Sequence, residues 1–226
     1  MITVGVRQQG AAALETLIVL GTIGPVILGL VQMMLFYQAR HIVNYATFEA
    51  ARYGAVRHAS VAAMKERFAV AVSPLYGGGV GSVNGARRNM AILAALARAR
   101  ADLLPPENAS VFTGAGFVLQ RLHPTAACFE DFAVEVDGIR QIPNAHLRFR
   151  SSGFRGPRSG ITLQDANLLK IKVVYGYRLF VPVINRLIAG ILMIADPAHG
   201  YYYAARPPRL PIVSTATVRM QSPAFE

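Results

Sequence analysis

The sequence has little of what most soluble enzymes are built around. It has one cysteine, no tryptophan, five histidines and only 12 acidic residues in 226. The single Cys128 excludes an intramolecular disulfide and a zinc site made of several cysteines, and it reads as a small buried apolar residue. His41, His58, His123, His146 and His199 are scattered, with no HExxH or Cys/His metal spacing, and there is no GxSxG motif. No two carboxylates stand out as an acid/base couple. The glycine-rich run YGGGVGSVNG lacks the Gly-Lys-Ser/Thr of a phosphate loop and reads as a linker. These absences point to a protein that is not an enzyme and carries neither cofactor nor metal.

Charge is also scarce, at 15% of residues against about 25% in ordinary soluble domains. Hydrophobic residues reach 53% and mean hydropathy is +0.36, which excludes an intrinsically disordered chain. Much of this apolar content is concentrated near the start. From Thr16 to Ala39 no residue is charged, and Leu17–Phe36 is a run of 20 predominantly apolar residues. As a helix that run is about 30 Å long, the thickness of a bilayer's hydrocarbon core, so a transmembrane helix is expected over about 16–37. A second apolar stretch, Leu179–Ile194, has 16 residues and Arg186 near its centre. It reads as a strand end followed by an amphipathic or buried helix, because a central arginine costs about 2.5 kcal/mol or more on insertion.

Beyond Phe36 the chain holds 22 basic and 11 acidic residues, so the net charge of +11 lies there. The densest basic part holds Arg140, Arg148, Arg150, Arg155 and Arg158, with no acidic residue between Asp137 and Asp165. Such a patch attracts anionic surfaces: nucleic acid such as DNA, acidic surface polysaccharide or lipid headgroups. The alternative is a solvated loop with surplus charge.

The first fifteen residues run MITVGVRQQG and then AAALE, ahead of the apolar run. A secretory signal places its small-residue cleavage site after the apolar stretch. Here Gly10 and small residues precede it, and a lone carboxylate, Glu15, stands at its head. A carboxylate at the edge of a span is costly unless it is paired or reaches the interface. One reading leaves Glu15 at the interface, favoured by the helix dipole. In the other, cutting after Gly10 creates an α-amino group on Ala11, and the Glu15 of one helix neutralises the amine of its neighbour.

This segment resembles a prepilin-type (class III) signal. The following stretch, QARHIVNYATFEAARYGAVRHAS, is similar to the TadE-like minor pseudopilins of tight-adherence (Flp-type) pili, with Glu49–Ala55 matching an EAARYGA-like motif. The likeness covers roughly residues 6–58, with a weaker echo in TATVRMQSP near the end. Thr16 departs from the tyrosine usual in major Flp pilins and favours a minor subunit. The resemblance implies cleavage between Gly10 and Ala11 by a prepilin peptidase, an assembly role for Glu15, and partners among other pilins and the inner-membrane pilus assembly platform. It also implies a cytoplasmic N-terminus and a periplasmic C-terminal domain, with the mature subunit in the inner membrane or in an extracellular pilus serving adhesion or secretion. A positive-inside count opposes this orientation, since Arg7 precedes the span while Arg40, Arg52 and Arg57 follow it. Long domains are exported regardless of such charges, so the cleavage signal is taken to decide. The other reading is a single-pass, membrane-anchored periplasmic protein that binds an anionic polymer through its basic loop.

The expected layout is a leader at 1–10, a span continuing as a stalk helix over 11–58, and an outer domain at 59–226. The α-helical stripe of Val43, Ala46, Ala50 and Tyr53 carries the first helix to about Val56, with Glu49 and Arg52 paired one turn apart. Pro25 removes one backbone donor within it, and Gly21, Gly24 and Gly29 are not spaced as GxxxG. Ser60 caps a second helix with Val61, Met64, Phe68 and Val72 on one face. A third starts near Asn84 and stops before Pro105-Pro106. Strands are expected at Phe132–Val136, before an Asp137-Gly138 turn, at Leu169–Phe180 and at Val213–Gln221. The fold class is α+β: a long N-terminal transmembrane and stalk helix, a helical segment and an antiparallel-sheet periplasmic domain. Tyr201, Tyr202 and Tyr203 are either a contact surface or part of their own domain's packing.

Overall fold

The computed structural model describes residues 8–77, 86–104 and 116–226. The leader up to Arg7, Asn84 with most of the glycine-rich linker, and Pro105-Pro106 lie outside the described residues. Helix α1 runs Gln8–Ala55, 48 residues with Pro25 inside it. The chain divides into two compact units, one of residues 1–38 with 178–210 and one of 39–177 with 211–226.

The larger unit forms around the second half of α1. Ala39, Val43, Ala46, Ala50 and Ala51 have no exposed surface. Their spacing places a stripe of small side chains along one helix face. After Ala55 the chain turns through His58 and Ala59, both with positive φ, and the Ala59 N–H returns to the Gly54 carbonyl at 3.0 Å. Helix α2 follows at Val61–Val72, with the Ser60 hydroxyl accepting from the Ala63 N–H. Of the expected face, Met64, Phe68 and Val72 are wholly enclosed and Val61 is half-buried. Helix α3 spans Ala86–Leu103.

Two three-stranded sheets complete this unit, in the orders β1-β4-β5 and β2-β3-β6. Strand β1 is Phe117–His123, β4 is Leu168–Arg178 and β5 is Arg209–Arg219. Strands β1 and β4 pair antiparallel with Phe117 opposite Tyr175. The alternation expected in β4 is observed, with Ile171, Val173, Tyr175, Tyr177 and Leu179 buried along with Leu169, although the strand ends at Arg178 rather than Phe180. Phe68 of α2 stacks on Phe117 at 4.6 Å between ring centroids, so helix and sheet share one apolar layer. Strands β2 (Val134–Val136) and β3 (Ile139–Ile142) form a hairpin. Its two turn residues, Asp137 and Gly138, both have positive φ, which matches the twist of a two-residue hairpin loop. Strand β6 is Ala224–Phe225.

Some elements differ from expectation. Phe132 ends a helix, α4 at Ala126–Phe132, so the strand expected there begins two residues later. Cys128 and Phe129 bury themselves on that short helix. Strand β5 starts at Arg209 rather than Val213, and β1 had no clear periodic signal. A one-turn helix, α5 (Leu163–Ala166), is capped by Thr162 and precedes β4.

In the smaller unit, β4 leads to helix α6 at Ile184–Ala195 and one-turn α7 at Gly200–Tyr203. Tyr202 and Tyr203 are buried within the unit, and Tyr201 is exposed. The Tyr203 hydroxyl donates to Asp196 at 2.9 Å.

At Gly54 other elements pack directly against the α1 backbone. A Cβ there would stand 2.5 Å from Met64 Sδ and 3.1 Å from Leu169 Cδ2. Gly54→Ala is expected to destabilise the larger unit by about 1–3 kcal/mol, because overpacking a filled core displaces its neighbours. Met64→Ala should absorb part of that cost, so the double variant is less destabilised than the two single effects summed. Denaturant unfolding of the full chain in detergent checks both statements.

Candidate functional site

The first candidate region is the apolar half of α1. The helix backbone already includes Gly10 and Ala11, which lie in its first turn. Glu15 follows on the same helix with its side chain exposed. Beyond it the helix is long and apolar enough to cross a membrane, with a mean hydropathy of 2.1 in its most apolar 18-residue window. Only 6% of that window is buried within the chain, whereas a core helix of a soluble domain would be mostly covered. Leu17, Leu20, Val26, Leu30 and Met34 all present exposed side chains.

Gln32, one of two polar side chains in the run Leu17–Phe36, is an exception to this exposure. It is fully buried, and its Oε1 accepts from the Val181 N–H at 2.9 Å. Its sequence signal is an amide inside an apolar run, and its partner, a backbone group 149 residues away, leaves no local pattern beside it.

The second region is Glu49–Ala55. Its small residues pack, with Ala50, Ala51, Gly54 and Ala55 buried. The Glu49 carboxylate joins Arg52 at 3.6 Å and Arg67 of α2 at 2.9 Å. The i,i+3 pair is the expected one. The Ala55 carbonyl accepts from the N–H groups of Gln221 and Ser222. His58 stacks on Phe225 at 3.9 Å and its Nδ1 meets the Pro223 carbonyl at 2.9 Å. The EAARYGA stretch and the segment after β5 therefore meet at the end of α1.

The basic residues do not share one environment. Arg140, on β3, pairs with Glu226, and Arg158 pairs with Glu130. Arg155 donates to the Gly160 carbonyl at 3.0 Å. Arg148 and Arg150 are exposed, with no ion pair among the described residues. The loop that carries Arg155 and Arg158 is held by Asp131 at the end of α4. Its carboxylate accepts from the Arg158 N–H at 3.2 Å and the Ser159 N–H at 2.6 Å. At Gly156 the backbone approaches so closely that a Cβ would overlap this carboxylate. Among the described residues no group of three or more His, Cys, Asp or Glu is placed to hold a metal ion.

Among the described residues these elements define an α+β protein with one N-terminal helix of membrane-spanning length and apolarity. Residues 10–52 match the family described as TadE-like protein. No curated protein and no solved structure matches the chain.

Asp131 generates a pH prediction. Burial would raise its pKa, but hydrogen bonds from Ser159 and the Arg158 backbone, with the Arg158 charge, outweigh that and lower it. A depressed folded value means the loop's stabilisation is complete above the unfolded value of about 3.9 and is lost as pH falls through the lower folded value. Hydrogen exchange at the Arg158 and Ser159 amides should lose its protection only in that acid range. Asp131→Asn should remove this titration from the exchange profile.

Proposed function

We propose that the chain is a non-enzymatic minor pseudopilin, a tight-adherence pilus assembly subunit processed after Gly10. The observation that carries this reading is the coincidence of the TadE-like segment, residues 10–52, with an α1 half whose apolar face is left uncovered. A helix of this kind is suited to lie in a membrane and to pack against the same helix of other subunits. The N-terminus is cytoplasmic and the larger unit is periplasmic in this reading, with prepilin peptidase, other pilins and the assembly platform as partners.

The chemistry of the first turn supports it. A peptidase needs an open backbone, and glycine weakens a helix by about 1 kcal/mol relative to alanine, so Gly10 makes the first turn easy to unwind. It also offers no side chain to obstruct a protease subsite. Cleavage leaves an α-amino group at Ala11, about 6 Å along the helix axis from Glu15. In a helix array in lipid, where an unpaired charge is costly, the amine of one subunit and the Glu15 carboxylate of the next neutralise each other.

A second reading, binding of an anionic polymer, is favoured by the exposed Arg148 and Arg150. It requires affinity that falls steeply with salt and on replacing these two arginines.

The mature N-terminus tests the first reading. Mass spectrometry of the membrane fraction, with prepilin peptidase present, should show a chain beginning at Ala11. Gly10→Ala should leave the precursor uncut. Glu15→Val should insert and be cut yet fail to assemble. An intact Met1 start with active peptidase would overturn the processing, and normal assembly of the Glu15 variant would overturn the pairing.

A further inference from the structure

Helix α6 is apolar on both sides. Ile184 and Ala189 face inward and are buried. Val183, Leu187, Ile191 and Ile194 fall at spacings of four, four and three, one continuous stripe, and are 73%, 57%, 59% and 86% exposed. A stripe of large apolar side chains left open in this way marks an interaction surface.

Its position beside α1 identifies the occupant. Pro25 and the start of α6 line the same cleft, with Pro182, Val183 and Leu187 beside the polar Asn185 and Arg186. Gln32 is tied to Val181. Both α1 residues lie inside the run Leu17–Phe36, the length a bilayer covers. If α1 spans, the segment that touches it at Pro25 and Gln32 lies at membrane depth as well.

The backbone there is suited to such a place. Non-helical chain at membrane depth must have its polar groups bonded. The Leu179 N–H donates to the Pro208 carbonyl and the Val181 N–H to Gln32. Pro182 has no N–H to satisfy. Val183, at φ 67 and ψ −54, closes a γ-turn in which the Ile184 N–H reaches the Pro182 carbonyl at 2.7 Å. Charge agrees with an anionic lipid surface. The segment 178–210 carries Arg178, Arg186, Arg206 and Arg209 against Asp196 alone, and of these Arg209 is buried while Arg186 and Arg206 are exposed. Arg186 and Arg206 stand beside one groove, and arginine stems are long enough to carry their charge toward headgroups.

We propose that α6 is a second membrane-embedded element, a half-pass helix lying in the leaflet on the C-terminal side of the span. Its Val183-Leu187-Ile191-Ile194 stripe meets acyl chains, and Arg186 and Arg206 meet lipid phosphates. The proposal rests on α1 being a span, and the test separates the two.

In a full-length Cys128→Ala background, Leu20→Cys on α1, Ile194→Cys on α6 and Phe149→Cys on the larger unit each receive an environment-sensitive fluorophore. All three sites are exposed, so folding is preserved. The proteins are reconstituted into phosphatidylethanolamine and phosphatidylglycerol vesicles with brominated acyl chains. The Leu20 and Ile194 labels should lose fluorescence to the brominated lipid and not to iodide in the buffer, with the reverse at Phe149. An Ile194 label quenched by iodide, with Leu20 quenched by lipid, overturns the half-pass and leaves the span standing. An Ile194 label protected from both quenchers overturns it in favour of a protein partner. A Leu20 label quenched by iodide overturns the span, and the half-pass with it.

Discussion

The larger unit depends on how closely other elements approach α1. Ala39, Val43, Ala46, Ala50 and Ala51 give that helix a narrow buried face, and Gly54 removes the last obstacle, letting Met64 and Leu169 settle against the backbone. Small side chains lose little entropy on burial and allow helix and sheet to share one densely packed layer. Phe68, Phe117 and Tyr175 then fill that layer, with Tyr175 also donating its hydroxyl to Tyr76 at 3.2 Å. The stretch Glu49–Ala55, with its EAARYGA motif, is thus an architectural part. Its carboxylate fixes Arg67, its small residues make room, and its last carbonyl receives the chain after β5.

The same helix meets two opposite demands. One face of its second half is buried by protein, while its first half exposes leucine, isoleucine and methionine along most of its length. In water that exposure would be expensive, at roughly 25 cal/mol for each Å² of apolar surface. A membrane, or a bundle of like helices within one, removes the expense. The TadE-like match covers residues 10–52 and so includes both halves, which suggests that anchoring and packing are served by one uninterrupted element.

Much of this was legible in the sequence. The 20-residue apolar run, the Ser60 cap, the Met64-Phe68-Val72 face and the Leu169–Tyr177 alternation are local patterns with periods of 3.6 or 2, and each appears where its pattern places it. Less legible were β1, α4 and the start of β5. The strand FVLQRLH carries only a brief alternation, and FEDF is short enough to read as either helix or strand. Such segments take their state from what they pack against. The five arginines between 140 and 158 could be counted from the sequence, but not sorted. Which of them meet Glu130 or Glu226, and which stay open to solvent, depends on contacts 28 and 86 residues away.

The sequence by itself determined that one long apolar helix leads an α+β chain, because length, hydropathy and capping are properties of neighbouring residues. Tertiary structure alone decided that residues 178–210 form a compact unit with the apolar end of α1. It alone gave Gln32 a partner in Val181 and turned an apolar face of α6 outward. The physical reason is distance along the chain: a buried amide and a backbone N–H 149 residues apart leave no periodic trace, and only folding brings them within hydrogen-bond range.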